Sequence, residues 1–194
     1  MNTEEKPVEL SAPVTERDHV RGSLEAPVVI VEYGDYECPH CGRAYWVVKE
    51  LLEKLGDQVG FIFRNFPITE THPRARTVAE ALEAAGGQER FWEMHDSFYE
   101  HQHQLELLDL EEHAQVIGLD VDEWKKALRD RAYRDHVNDD LESGRESGVT
   151  STPTFFINGI RHEGDYDLKS MLAAIRQAAP GIVDRPSVRE PRGQ

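Results

Sequence analysis

Pro27-Val28-Val29-Ile30-Val31-Glu32-Tyr33 is an apolar, β-branched run interrupted by one carboxylate. Its length and Val/Ile content predict a buried central strand rather than a helix, closed by Gly34 and Asp35. After Cys38-Pro39-His40-Cys41, apolar side chains recur at Tyr45, Val48, Leu52 and Leu55. That is the 3.6-residue spacing of an amphipathic helix. Pro39 suits the first helical position, where its missing N–H has no intrahelical partner. Gly56 closes the helix, and Val59 to Phe66 predicts a second buried strand stopped by Pro67.

From about Thr69 to Ser147 the pattern turns helical. Val78, Ala79, Leu82 and Ala85 make one face, ended by Gly86-Gly87. Phe91, Trp92, His95, Phe98 and Tyr99 form an aromatic face, expected to be the core of this helical block. Leu110 to Ile117 ends at Gly118, and Asp120 with Glu123 has capping-box spacing before Trp124, Ala127 and Leu128. Tyr133, Val137 and Leu141 carry a last helix to Gly144. Thr154 to Ile157 predicts a strand, and Asn158-Gly159 is a strong hairpin signal returning through Ile160-Arg161-His162. Asp167 starts a final helix that buries Leu168, Met171, Leu172 and Ile175 and ends near Pro180-Gly181.

The order is β–α–β, a helical block, a β-hairpin and a helix. It predicts an α/β sandwich built from residues 1–68 and 148–180, with an all-helical insertion at 69–147. Residues 1–18 read as a polar leader, with a short edge strand, and 181–194 as a flexible tail. No internal repeat is visible.

The 194 residues include 22 Lys and Arg against 37 Asp and Glu, a net charge of −15. Phosphate contacts need Lys and Arg, so nucleic acid and anionic membrane surfaces are poor partners for this chain. No apolar run approaches the ~20 residues that span a bilayer. The first twenty residues lack the basic and apolar regions of a secretory signal. The expected address is cytoplasmic, or extracytoplasmic if a leader has been removed.

The two cysteines, Cys38 and Cys41, form one motif. The thiolate is the reactive form of cysteine, and unpaired N–H groups at a helix N-terminus favour negative charge. Cys38 is placed to gain both, and His40 can add a donor or a positive charge. Cys41, one turn in, is more shielded. Cys38 is therefore the expected nucleophile and Cys41 the resolving thiol. Half a zinc site is the competing reading; it needs two more ligands, with His40, His95, His101 and His103 as the available histidines. The other histidines, with Asp35 and Glu37, read as surface, helix or solvated loop residues.

The strand, the Cys-Pro-His-Cys motif and the long helix after it resemble the thioredoxin superfamily. Pro39-His40 between the cysteines, together with the helical insertion, resembles its DsbA-like branch of thiol-disulfide oxidoreductases. The resemblance spans roughly residues 20–178. Ser151-Thr152-Pro153-Thr154 matches the position of the family's cis-proline loop, which implies Thr152 and Pro153 facing the cysteines, with the Thr152 backbone docking client peptide as an added strand. Thr152 departs from the valine of the archetypal oxidases, which puts a simple oxidase role in doubt. The resemblance also implies a buried acid at Glu32 near Cys41, able to relay its proton; the alternative is a strand-end carboxylate facing water. It implies protein or peptide thiols and disulfides as partners, an unknown redox partner, and no cofactor or metal. A stabilised thiolate makes a comparatively good oxidant, whereas a cytoplasmic address would hold the pair reduced. The non-enzymatic alternative is a redox-switched peptide-binding or chaperone-like module without turnover.

Overall fold

The computed structural model describes residues 6–185. A five-stranded sheet runs in the order β1-β3-β2-β4-β5. Its strands are β1 (Val20–Arg21), β2 (Val28–Gly34), β3 (Val59–Asn65), β4 (Thr154–Ile157) and β5 (Ile160–Arg161). β2 and β3 are parallel, whereas β4 lies antiparallel on the other side of β2. Parallel neighbours need a crossover, and α1 (Pro39–Leu55) provides it. Helices α2 (Ala75–Gly86), α3 (Phe91–Glu100), α4 (Leu107–Val116), α5 (Val121–Arg129) and α6 (Arg134–Glu146) lie between β3 and β4, and α7 (Leu168–Ala178) closes the chain. This is an α/β thioredoxin-like fold with a helical insert. Among the described residues no helix is long and apolar enough to cross a membrane.

Successive side chains of a strand point to opposite faces, and the two faces of the sheet carry separate cores. Val28, Ile30, Phe61, Phe63, Phe155 and Ile157 pack with α1, α7 and the insert. Val31, Tyr33, Ile62 and Phe156 form the other core with Phe66, Val149, Leu10, Val14 and Leu141. Glu32 stands two residues from Ile30 and so shares the face that α1 covers.

The polar leader is held to the body: buried Arg64 donates to the carbonyls of Ala12 and Pro13 and to the carboxylate of Asp18, and so straps the leader across the second face. The expected edge pairing in the leader is a short one: Glu9 bridges antiparallel to Ile160, and Val20 and Arg21 then pair with β3. The aromatic face of α3 is buried core, and it reaches beyond the insert. Tyr99 stacks on Tyr45 at 5.3 Å and lies tilted 4.5 Å from Tyr36, and His95 lies 4.9 Å from Phe63. These rings join the insert to the sheet and α1.

Asp120 caps α5 by accepting from the Glu123 N–H at 3.0 Å, while the reciprocal capping box belongs to Glu106 and Asp109 at α4. The predicted tail begins docked: Ile182 is buried, and the Arg185 N–H donates to the Lys54 carbonyl at 2.7 Å. The rest of that tail, 186–194, lies outside the described residues, as do residues 1–5. Asn158 and Gly159 take φ of 49° and 80°, the pair of positive values that the tightest hairpin turn requires.

Gly144 does not end α6 but lies inside it. A Cβ there would sit 2.6 Å from the Phe66 ring and 3.0 Å from Tyr33. Helix propensity alone favours Ala over Gly by about 1 kcal/mol. Here overpacking should win, and Gly144→Ala should lower stability by about 1–3 kcal/mol in urea unfolding. An unchanged or raised midpoint would show that the contact is soft.

Candidate active site

Cys38 is the residue before the first turn of α1, with Pro39 at the helix start. The strand-to-helix turn is locked from several sides. The Cys38 N–H donates to the Asp35 carbonyl at 3.1 Å, and the Gly42 N–H to the Cys38 carbonyl at 3.2 Å. Gln102, from the loop after α3, donates to the carbonyls of Tyr36 and Cys38, both at 2.7 Å.

Asp35 and Glu37 are not solvated loop charges. Asp35 is buried and accepts from the Ile68 N–H at 2.9 Å and from His72 at 2.8 Å. Burial raises its pKa, while those hydrogen bonds pull the other way. Glu37 accepts from the Arg74 backbone and guanidinium. Both carboxylates fasten the cysteine loop to the loop after β3, because turn N–H groups removed from water need acceptors.

Both cysteines are thiols and buried, Cys41 more completely, at 0% exposure against 5% for Cys38. The peptide bond between Thr152 and Pro153 is cis. Thr152 faces the first cysteine: the Cys38 thiol donates to the Thr152 carbonyl at 3.4 Å. The buried Thr152 hydroxyl has no hydrogen-bond partner, and the Thr152 side chain helps to lower the Cys38 pKa. Cys41 receives the Asp35 N–H at 3.5 Å.

The two sulfurs are driven apart in acidity. The Cys38 pKa falls from 9.0 to about 5. The Cys41 thiol is the largest cause, donating to the thiolate; burial opposes it, and the Thr152 side chain and the backbone N–H groups of Cys41 and His40 assist. Cys41 moves the other way, because burial, its hydrogen bond to Cys38 and the negative charge of Glu32 all disfavour a second anion. Two interacting thiols within one turn cannot both ionise cheaply.

Glu32 is 2% exposed, and its Oε1 has no hydrogen-bond partner. Burial, then the Cys38 charge, lifts its pKa from 4.5 to about 8. The strand-end carboxylate facing water is excluded by this position. His40 differs from expectation in another way. Its ring turns outward, where Arg43 donates to Nδ1 at 2.8 Å and the Tyr166 hydroxyl lies 2.8 Å from the same nitrogen. What reaches Cys38 is the His40 backbone N–H.

Cys38, Cys41, Pro39, Thr152, Pro153 and Glu32 thus meet around one helix end. Gln102, Tyr166 and Arg43 were missed by sequence reasoning: they are polar residues with no motif of their own, two of them far along the chain. Of the histidines weighed as zinc partners, His95 is bound to the Tyr36 hydroxyl at 2.7 Å and His101 to the Ser97 carbonyl at 3.0 Å. His95 and His113 are buried helix residues of α3 and α4.

Residues 14–177 match the Thioredoxin_4 family, described as thioredoxin. The chain belongs to that family. It is also 44% identical over 180 residues to the Na(+)/H(+) antiporter NhaA 1 of Salinispora arenicola, covering 92% of this chain and 28% of the antiporter. The NhaA antiporter of Herminiimonas arsenicoxydans is 36% identical over the same share of both chains. The chain therefore spans little more than a quarter of the length of these relatives. Among solved structures, oxidised BdbD from Bacillus subtilis superposes with a TM-score of 0.78 at 22% identity, covering 91% of this chain and 100% of that one. The thiol-disulfide exchange protein alpha-DsbA2 from Wolbachia pipientis gives 0.71 at 21% identity, over 84% and 87% of the two chains.

A folded-state pKa depressed from 9.0 to about 5 sets the sign of the pH effect. Thiolate stabilisation is fully present above the unfolded value and is lost as pH falls through the folded one. Thiolate absorbance of the reduced protein should titrate near pH 5. The stability advantage of reduced wild type over Cys38→Ala should grow from about pH 5 to 9. A midpoint near the ordinary cysteine value would remove the activated nucleophile.

Proposed function

We infer that the chain is a DsbA-like dithiol-disulfide oxidoreductase acting on protein thiols through Cys38. The observation that carries this reading is the placing of Cys38 at the start of α1 against the Thr152 carbonyl with Cys41 fully buried one turn in, which drives the two sulfurs apart in acidity. One is held as an anion at the mouth of α1, and its neighbour is held protonated beneath it.

In the oxidising direction a client thiolate attacks Cys38 of the Cys38–Cys41 disulfide. A client–Cys38 bond forms, the Cys38–Cys41 bond breaks, and Cys41 leaves with the electron pair. Glu32, protonated below about pH 8, supplies the proton that Cys41 then keeps. A second client thiolate attacks the client sulfur, giving the client disulfide and releasing Cys38 as a stable thiolate. The client loses two electrons and the enzyme gains them. A low-pKa thiol leaves fast, so this last step suits Cys38. The reverse sequence reduces a client disulfide; the stabilised thiolate tilts the balance toward oxidation.

Pro39 starts the helix without leaving an orphan donor. Thr152 and Pro153 form the wall against which client backbone docks. His40, tied to Arg43 and Tyr166, belongs to the surface that meets the client. The resetting partner is a dithiol or disulfide of matching potential. The antiporter relatives support a second statement: this exchange unit is of the kind carried within larger proteins.

Cys38→Ala should abolish insulin reduction and oxidation of a reduced test protein. Cys41→Ala should accumulate mixed disulfides that wild type resolves, seen as thiol-sensitive adducts on gels. A redox-switched module without turnover would instead leave client peptide bound equally by both variants, with negligible exchange by wild type. Full activity in Cys38→Ala would reject the assignment.

A further inference from the structure

Three side chains that the thiol chemistry does not use converge beside the insert. His19 lies just before β1, Glu83 on α2 and His136 on α6. Their donor atoms all lie within 4.8 Å of one another. His19 Nε2 is 2.8 Å and His136 Nε2 3.6 Å from Glu83 Oε2. We propose that these residues bind a divalent transition-metal ion of the zinc type, which clamps the N-terminal segment to the insert.

The spacing suits such an ion. Tetrahedral zinc with bonds of ~2.0–2.1 Å holds its donors about 3.3–3.4 Å apart, inside the range found here. Small shifts of the half-exposed imidazoles would complete it: the side chains of His19 and His136 are 24% and 25% exposed, so an ion can enter. Glu83, at 2% exposure, is the fixed point. Two imidazoles and one carboxylate favour zinc, copper or nickel over calcium or magnesium, which prefer all-oxygen sites.

Supporting groups hold the ligands as a metal site requires. Asn65 donates to the other oxygen of Glu83 at 2.7 Å, which leaves Oε2 for the ion. Phe91 stacks on the His19 ring at 3.6 Å. Asp140 sits one turn after His136, its Oδ1 4.0 Å from that Nε2, and is placed to take the fourth position directly or through water. Asp140 is itself buried, and its Oδ2 is held by the Asn65 N–H at 2.8 Å, which leaves Oδ1 on the side of His136. The hydrogen bond between His19 and Glu83 gives way to two coordinate bonds when the ion enters.

The test uses the full chain with Cys38 and Cys41 oxidised to the disulfide, so that no thiolate competes for metal. Zn2+ and Co2+ are titrated by calorimetry and visible absorption, with Mg2+ as control. Saturable binding of a single Zn2+ is expected, with a raised thermal midpoint and no response to Mg2+. His19→Gln and His136→Gln, both part-exposed and expected to fold, should each weaken Zn2+ binding at least tenfold and lose the thermal shift. Circular dichroism checks their folding. The Cys38→Ser/Cys41→Ser variant serves as a second thiol-free background. Oxidised wild type that binds no Zn2+, or binding that survives both histidine changes undiminished, overturns the site. Neither outcome bears on the thiol chemistry.

Discussion

One balance organises this molecule: the charge on the Cys38 sulfur at the N-terminus of α1, favoured most by the neighbouring Cys41 thiol. Charge at that point is favoured by N–H groups that have no helical acceptor. It is disfavoured by burial, which takes the sulfur out of water. The donors win, and the Cys38 pKa falls to about 5. Much of the rest of the fold serves that balance. The parallel pair β2–β3 forces the crossover that creates α1 beside the sheet centre. Asp35, Glu37 and Gln102 fix the preceding turn, so that the N–H groups of His40 and Cys41 in the first turn of α1 face the Cys38 sulfur. Thr152 closes the opposite side with a carbonyl that accepts from the Cys38 thiol.

The same low-polarity setting explains Glu32. A carboxyl on the core face of β2 would normally be a liability, since burying an unpaired charge costs several kcal/mol. It is tolerated because its pKa rises to about 8 and the group stays neutral. A neutral acid beside the two sulfurs is what the proposed proton transfer to Cys41 requires. Its value depends on Cys38 being the anion, because a charged Glu32 and a charged Cys38 penalise each other. The three groups hold their protons as a coupled set, and the site's chemistry is a property of the set.

The strands, the long helices and the cysteine motif were legible because each rests on local rules: β-branched runs, 3.6-residue spacing, Pro39 at a helix start, Asn158-Gly159 at a turn. Errors arose where tertiary packing overrode a local signal. Gly144 looked like a helix stop and instead makes room for Phe66. Asp35 and Glu37 looked like loop charges because their partners, Ile68, His72 and Arg74, are more than thirty residues away. The His40 ring sits between the cysteines in sequence but turns to Tyr166, over a hundred residues on. His19, Glu83 and His136 carry no motif spacing at all, and only folding brings them together. Glu32 could be placed by strand parity and family resemblance, but its burial had to be seen.

If Cys38 is held as a stabilised anion only in the dithiol state, oxidation removes that stabilisation. The disulfide closes a loop of two intervening residues, so it constrains the unfolded chain little. Urea unfolding of the dithiol and disulfide forms, side by side at neutral pH, compares the two directly. The dithiol form should be the more stable and the disulfide form correspondingly oxidising. A disulfide form that unfolds at equal or higher urea would mean the thiolate is not stabilised by this fold.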